Sequence, residues 1–286
     1  MPVRKQTGKH HPAAVYAKQV VSGKLRLFCG KYEILACQRF LDDLKRQGTK
    51  DFPWVFDATR ADRIIAWFRR CIQVRGPYAG QPVDLQPWQV FDQSNIYGWV
   101  HKDTGVRRFT RTYNKRARGN VKSTEVSCKC LYHMCADAIY PPYQPELAQF
   151  EMEPEVECAA VDRGQAKRVY DDAKKIAKAS PGIAKPGYKI RLTVKETRVF
   201  HKTRGGFMRA LSKDTDNKDS GAPSYFEVDE YHAHKTSEIY DLGLNSFGKR
   251  RQPLLDVITT AGDDAEHKPC KTEEDYCKRI LEDPAV

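Results

Sequence analysis

An α/β fold built on a largely parallel central sheet is predicted for this chain, on three observations. From Arg107 onward, short β-rich runs alternate with helix-length amphipathic segments, the pattern that crossover connections between parallel strands produce. Two runs, 224–228 and 254–260, read as buried strands, lacking the polar–apolar alternation of a half-exposed one. Between the first predicted strand of this region and the helix after it lies a polar loop ending in Lys122 and Ser123, where such folds bind anions.

The elements follow in order. Apolar residues recur at helical spacing over 13–21, 33–46 and 61–73, separated by polar or proline-containing stretches such as 48–53. Residues 1–75 are therefore expected to form a helical N-terminal extension, and 76–286 the α/β domain. The character changes after Gly76-Pro77-Tyr78-Ala79-Gly80, and 84–99 is a further amphipathic helix. Then come a strand at 109–113, a helix at 123–138, a strand at 156–161 and a helix with a basic face at 165–179. Short strands at 190–194, 197–201 and 206–211 include a hairpin. The buried strand 224–228, a helix at 237–246, the buried strand 254–260 and a helix at 271–281 complete the series. No internal repeat or low-complexity tract interrupts it.

Composition narrows the class. Hydrophobic residues are 40% and charged residues 30% of 286, ordinary for a soluble globular protein. The formal net charge of +12 favours a polyanionic partner, of which nucleic acid is the commonest. No run approaches the roughly eighteen apolar residues of a membrane span, and the basic start has no apolar segment behind it, so neither membrane nor signal peptide is expected. Nine scattered cysteines fit a reducing compartment with free thiols. Cys128, Cys130, His133 and Cys135 crowd one predicted helix with no second ligand pair, which favours core packing over zinc.

The chemistry concentrates in two segments. Arg116-Ala117-Arg118-Gly119-Asn120-Val121-Lys122-Ser123-Thr124 lies between a strand and a helix. A phosphate loop needs N–H groups and a helix N-terminus facing the anion, a lysine for the terminal phosphates and a hydroxyl for Mg²⁺. Lys122 and Ser123 supply the last two in the right order. The usual glycine pattern is broken twice, by Arg116 at the first glycine and by Val121 directly before the lysine. If position 121 requires a positive φ, the β-branched valine is strained there. The second segment, Tyr225-Phe226-Glu227-Val228-Asp229-Glu230, is a strand ending in adjacent carboxylates, suited to a metal-holding acid followed by a water-orienting one. A third strand ends in Thr259-Thr260-Ala261-Gly262, with hydroxyls to offer a γ-phosphate.

Together these segments resemble the large terminase subunits of tailed bacteriophages. The resemblance rests on Asp84-Leu85-Gln86-Pro87-Trp88-Gln89, the Arg118 to Thr124 loop, Arg163-Gly164-Gln165-Ala166, Val228-Asp229-Glu230-Tyr231-His232-Ala233-His234-Lys235, and Arg250-Arg251-Gln252-Pro253-Leu254 leading into Thr259-Thr260-Ala261-Gly262. It implies a RecA-like P-loop ATPase of the ASCE type that drives double-stranded DNA into an empty capsid. Its cofactors would be ATP and Mg²⁺, and its partners portal protein, small terminase subunit and further copies of itself in a ring, within the host cytoplasm. By position, Gln89 would read adenine, with Trp88 and Pro87 shaping the pocket. Arg118, Gly119, Asn120, Val121, Lys122, Ser123 and Thr124 would wrap the phosphates, Lys122 on β/γ and Ser123 on Mg²⁺. Asp229 would be the acid of the Mg²⁺ strand and Glu230 the catalytic carboxylate. Thr259 or Thr260 would couple hydrolysis to movement. A transition-state arginine would come from Arg118 in cis, or from Arg163 or Arg251 in trans. The family's nuclease domain is expected to be missing from this chain.

Two other readings stay open. Asp229-Glu230-Tyr231-His232 also fits the DExH pattern of helicase ATPase domains, and a loop disabled by Val121 would leave a non-hydrolysing assembly or DNA-binding module. The basic residues Arg107, Arg108, Arg111, Lys115 and Arg116 offer either a DNA contact or a solvated or subunit-facing surface.

Overall fold

A computed structural model describes residues 8–25, 28–142, 144–161, 163–181, 183, 192–211, 221–261 and 268–283. The chain opens with helices α1 (Pro12–Val21) and α2 (Lys31–Arg46), strand β1 (Trp54–Phe56), helices α3 (Ala58–Arg70) and α4 (Pro87–Gly98), and strand β2 (Trp99–His101). Local chemistry marks the helix starts. His11 caps α1 by accepting from the Ala13 N–H, and Asp57 caps α3 by accepting from Thr59 and Arg60. Gln86 and Gln89 form a reciprocal capping box on α4, with Pro87 in its first turn. The aromatic core of this layer joins Phe40, Phe52 and Phe56 to Phe91 of α4 and Trp99 of β2. Trp99 does not continue the helix because it pairs with Phe56 across the β1–β2 ladder.

The sheet layer comprises β3 (Arg111–Lys115), α5 (Lys122–Cys135), the small pair β4 (Ala138–Ile139) and β5 (Gln149–Phe150), β6 (Glu155–Ala159), α6 (Arg163–Ala179), β7 (Leu192–Val194), β8 (Val199–His201), β9 (Phe207–Leu211), β10 (Tyr225–Asp229), α7 (Glu238–Asn245), β11 (Leu254–Thr259) and α8 (Pro269–Glu282). Seven strands run in the order β3-β11-β10-β6-β9-β8-β7. The first five are parallel, and β7 and β8 close the far edge as the antiparallel hairpin. Every residue of β10 and β11 is buried, as central strands covered on both faces must be. Alternation sends Tyr225, Leu254 and Ile258 into the core with α5 and α6, and Phe226, Val228, Leu255 and Val257 into the core with α7 and α8. The architecture is a RecA-like α/β fold, with β11 inserted between the loop-bearing strand β3 and the acid-bearing strand β10.

Four of the five basic residues just before the loop are committed to carboxylates within the protein. Arg107 is buried against Asp137, Arg108 meets Asp43 at 2.6 Å, Lys115 meets Glu274 at 2.9 Å, and Arg116 holds both Glu125 and Asp92. Arg111 donates to the Tyr240 hydroxyl. This cluster is an internal brace, because four of the five side chains find a counter-charge on a neighbouring part of the fold. Cys128, Cys130, His133 and Cys135 lie buried on α5, with the His133 ring 2.9 Å from the Tyr97 hydroxyl. Among the described residues no helix is long and apolar enough to cross a membrane.

Candidate nucleotide site

β3 ends at Lys115, and the chain turns through 116–121 into α5, which starts at Lys122. Gly119 adopts φ +85° and Val121 φ +54°, ψ 24°, so the residue before the lysine is left-handed although it is a valine. The turn sets the first N–H groups of a fourteen-residue helix, and the positive end of its dipole, at the loop. Lys122 Nζ donates to the carbonyls of Arg116 and Ala117 at 3.2 and 3.1 Å. Arg116 is the anchor of the loop. Its guanidinium donates to Glu125 at 2.6 Å and Asp92 at 2.7 Å, and lies 4.7 Å from the centre of the Trp88 ring. Glu125 also accepts from Gln89 and Gln93, so α4, the loop and the first turns of α5 share one hydrogen-bond network.

The carboxylates stand at the C-terminal edge of β10. Asp229 is buried and accepts from the Glu230 N–H at 2.8 Å. Burial first, and then the Glu230 charge beside it, push its carboxyl up to about 6. Glu230 takes left-handed backbone, φ +49° and ψ 46°, which turns its side chain out of the strand direction. Burial lowers the Lys122 ammonium, while the charges of Glu230 and Asp229 raise it, so lysine and acids act on one another electrostatically. Thr259 and Thr260, both buried, end β11 beside them, with Thr260 Oγ1 3.4 Å from Glu230 Oε2. Lys122, Asp229, Glu230, Thr259 and Thr260 therefore gather at one sheet edge.

The remaining sequence-predicted residues are distributed differently. Ser123 and Thr124 follow Lys122 in the first turn of α5, half-buried, and Arg118, Gly119 and Asn120 are exposed in the loop. Gln89 faces inward: its amide oxygen accepts from the Gln86 N–H and its amide nitrogen donates to Glu125, so both ends serve the protein. Pro87 and Trp88 line a cavity of about 1020 Å³ with Arg116, Ala117 and Asn120, beside the loop. Arg163 opens α6 after the C-terminal end of β6, on the loop's edge of the sheet; its side chain lies outside the described atoms. Arg251 lies before β11, at the opposite sheet edge, and donates to Gln149. Sequence reasoning missed the clamp of Asp92 and Glu125 on Arg116. The available signal was a pair of charges, Glu125 and Lys129, one turn apart on the face of a helix otherwise reading as core.

Comparison with known proteins accords with this geometry. The family described as the terminase large subunit, ATPase domain, matches residues 87–279, more than half of the chain. The fold is similar to that of the HK97 bacteriophage large terminase, with a TM-score of 0.60 at 20% identity, covering 79% of this chain and 42% of that one. A looser likeness is to the ATPase domain of the Thermus phage P74-26 large terminase, with a TM-score of 0.39 at 16% identity over 54% of this chain and 61% of that one. The protein YmfN of Escherichia coli strain K12 is 48% identical over 52 residues, 18% of this chain and 11% of YmfN. The fold and the family match together define an ATPase domain. More particularly, the chain belongs to the terminase large subunit ATPase domain family. It spans less than half the length of the HK97 protein and a small part of YmfN.

Proposed function

We propose that this chain is the ATP-hydrolysing motor module of a phage large terminase, which powers movement of double-stranded DNA into the capsid. It would work at the capsid vertex in the host cytoplasm, as a ring of copies with portal protein and small terminase subunit. The reading rests on one observation above others: Lys122, at the start of α5 after β3, and the Asp229–Glu230 end of β10 lie at the same sheet edge, with the end of β11 between. In this arrangement the helix N-terminus and Lys122 hold the β- and γ-phosphates, and Glu230 orients the attacking water. Adenine would sit toward the cavity bordered by Pro87 and Trp88. Gln89 can contribute there only by releasing Glu125.

Mg²⁺ fits the donor set. Burial, and then the like charge of Glu230 at its side, push Asp229 up to about 6, so a cation there would favour its ionised form. Asp229 and the Ser123 hydroxyl would hold the ion, which when bound neutralises charge on the phosphate oxygens. Arg118 is the transition-state arginine within the loop, and Arg163 lies on the same sheet edge. Arg251 acts only if a neighbouring subunit is served from this chain's opposite edge.

The test is steady-state ATP hydrolysis by wild type, Lys122→Ala and Glu230→Gln, with and without Mg²⁺. Both substitutions and metal removal are expected to lower kcat by about a hundredfold or more. Equal rates in all three proteins would sink the assignment.

A further inference from the structure

We infer that His232 is a positioning residue that fixes the Glu230 carboxylate against the end of β11, joining it to Thr259 and Thr260. The inference rests on the reading of Glu230 as the water-orienting carboxylate. His232 sits in the single 3₁₀ turn (Tyr231–Ala233) that follows Glu230. Its Nδ1 is 3.1 Å from Glu230 Oε2 and 3.0 Å from Thr259 Oγ1, and its backbone N–H donates to the same Thr259 oxygen at 3.0 Å. Thr260 Oγ1 donates to Glu230 Oε2 at 3.4 Å, and Thr259 Oγ1 donates to the Thr260 carbonyl at 3.3 Å.

Thr260 Oγ1 also lies 3.4 Å from His232 Nδ1, so this ring nitrogen sits among both threonine hydroxyls and the Glu230 carboxylate. An ionised carboxylate accepts and never donates, so His232 engages Glu230 through a proton on Nδ1. Thr259 spends its own proton on the Thr260 carbonyl, so its oxygen is the acceptor for the His232 backbone. Thr260 spends its proton on Glu230. Oε2 thus receives a hydrogen bond from the neighbouring strand and has the imidazole of the turn that carries Glu230 at ion-pair distance. Oε1 receives none among the described residues and is the oxygen left for water.

The arrangement has a directional consequence. Glu230 holds left-handed backbone, a conformation that persists in a non-glycine residue only where its surroundings over-determine it. The turn bonds Ala233 N–H to the Glu230 carbonyl at 2.8 Å and His234 N–H to the Tyr231 carbonyl at 3.1 Å, and it docks on Thr259 through His232. β11 lies between β3, which leads into the loop, and β10, which carries the acids. A shift of the β11 end is therefore felt at Oε2 through His232, and the orientation of Glu230 is tied to the strand beside the phosphate loop.

The test uses the full chain with three variants at one position. Asparagine places an N–H donor near the position of Nδ1, glutamine places it where Nε2 would be, and alanine removes it. His232→Ala and His232→Gln are expected to lower kcat about tenfold with KM for ATP changed less than about twofold, and His232→Asn to recover most of the rate. In a Glu230→Gln background, His232→Ala is expected to change the residual rate no further, because the group it positions is already gone. Thermal unfolding is measured alongside. Unchanged kcat in His232→Ala, or an equal loss in all three variants that follows their melting temperatures, would overturn the inference while leaving a strong Glu230→Gln defect, and hence the parent reading, intact. Equal rates for wild type and Glu230→Gln would overturn both.

Discussion

Two residues of the candidate site hold left-handed backbone without being glycine, Val121 before the lysine and Glu230 after the aspartate. For Val121 the cost is the sharper, because its β-branch crowds the following carbonyl, and about 1–2 kcal/mol is typical. Its side chain is 52% exposed, so no packing offsets that strain. Val121→Gly is therefore expected to raise stability in urea unfolding by about 1 kcal/mol, the strain relieved exceeding the extra freedom of glycine in the unfolded chain. A lower midpoint would show that the valine is not strained. The sequence alone could state this only as a condition, since φ is set by how the loop joins β3 to α5. The adjacent substitution is of another kind. Arg116 stands in a glycine's place, yet its positive charge ties the loop to Asp92, Glu125 and Trp88. Those partners lie 24, 9 and 28 residues away, and beyond the Glu125–Lys129 spacing no local pattern points to them.

At the scale of elements, α5 carries the site on its first turn and a charged network on its buried flank. Lys129 and Asp256 are fully buried and paired, and Asp256 also receives bonds from Thr112, Asn114 and Tyr225. β3, β10, β11 and α5 are thus cross-linked one layer beneath the edge that carries the candidate site. Lys129→Met would leave the Asp256 carboxylate buried without its counter-charge and is expected to cost about 3–5 kcal/mol in chemical denaturation. A change below about 1 kcal/mol would mean the hydroxyl and amide donors suffice alone. The helices and central strands were legible within a few residues, because their period and length are strong signals. Strand 109–113 was read two residues early, for 110 is exposed and the ladder to β11 starts at Arg111. β1, β2, β4 and β5 were not legible: two- or three-residue strands carry no periodicity, and Trp99 reads as the end of a helix until its partner Phe56 is known. The strand expected at 190–194 begins at Leu192 within the described residues, and 190–191 and Gly262 lie outside them.

For the whole molecule, the question is whether the helical layer and the sheet layer are separable. Composition placed the change of character near residue 76, but the packing does not divide there. Phe91 of α4 and Trp99 of β2 lie in the same core as Phe40, Phe52 and Phe56, and Phe40 meets the rings of Phe56, Phe91 and Trp99 edge-on at 5.2–5.8 Å. α4 is also the element whose Gln89, Asp92 and Gln93 brace Arg116 and Glu125 behind the phosphate loop. The first helices thus support the candidate nucleotide site through α4. Lys31 and Tyr32 of α2 further reach Glu282 of α8, closing the layer onto the end of the sheet domain. A chain beginning at residue 76 would expose Phe91 and Trp99 and leave β2 without its ladder. Burial of two such aromatics contributes about 4–6 kcal/mol, a large part of the net stability of an ordinary domain. That chain is expected to be aggregation-prone, to bind a hydrophobic dye and to lose ATP hydrolysis. If the 76–286 chain proves monomeric, cooperatively folded and active, the two layers are independent domains and α4 belongs with the sheet.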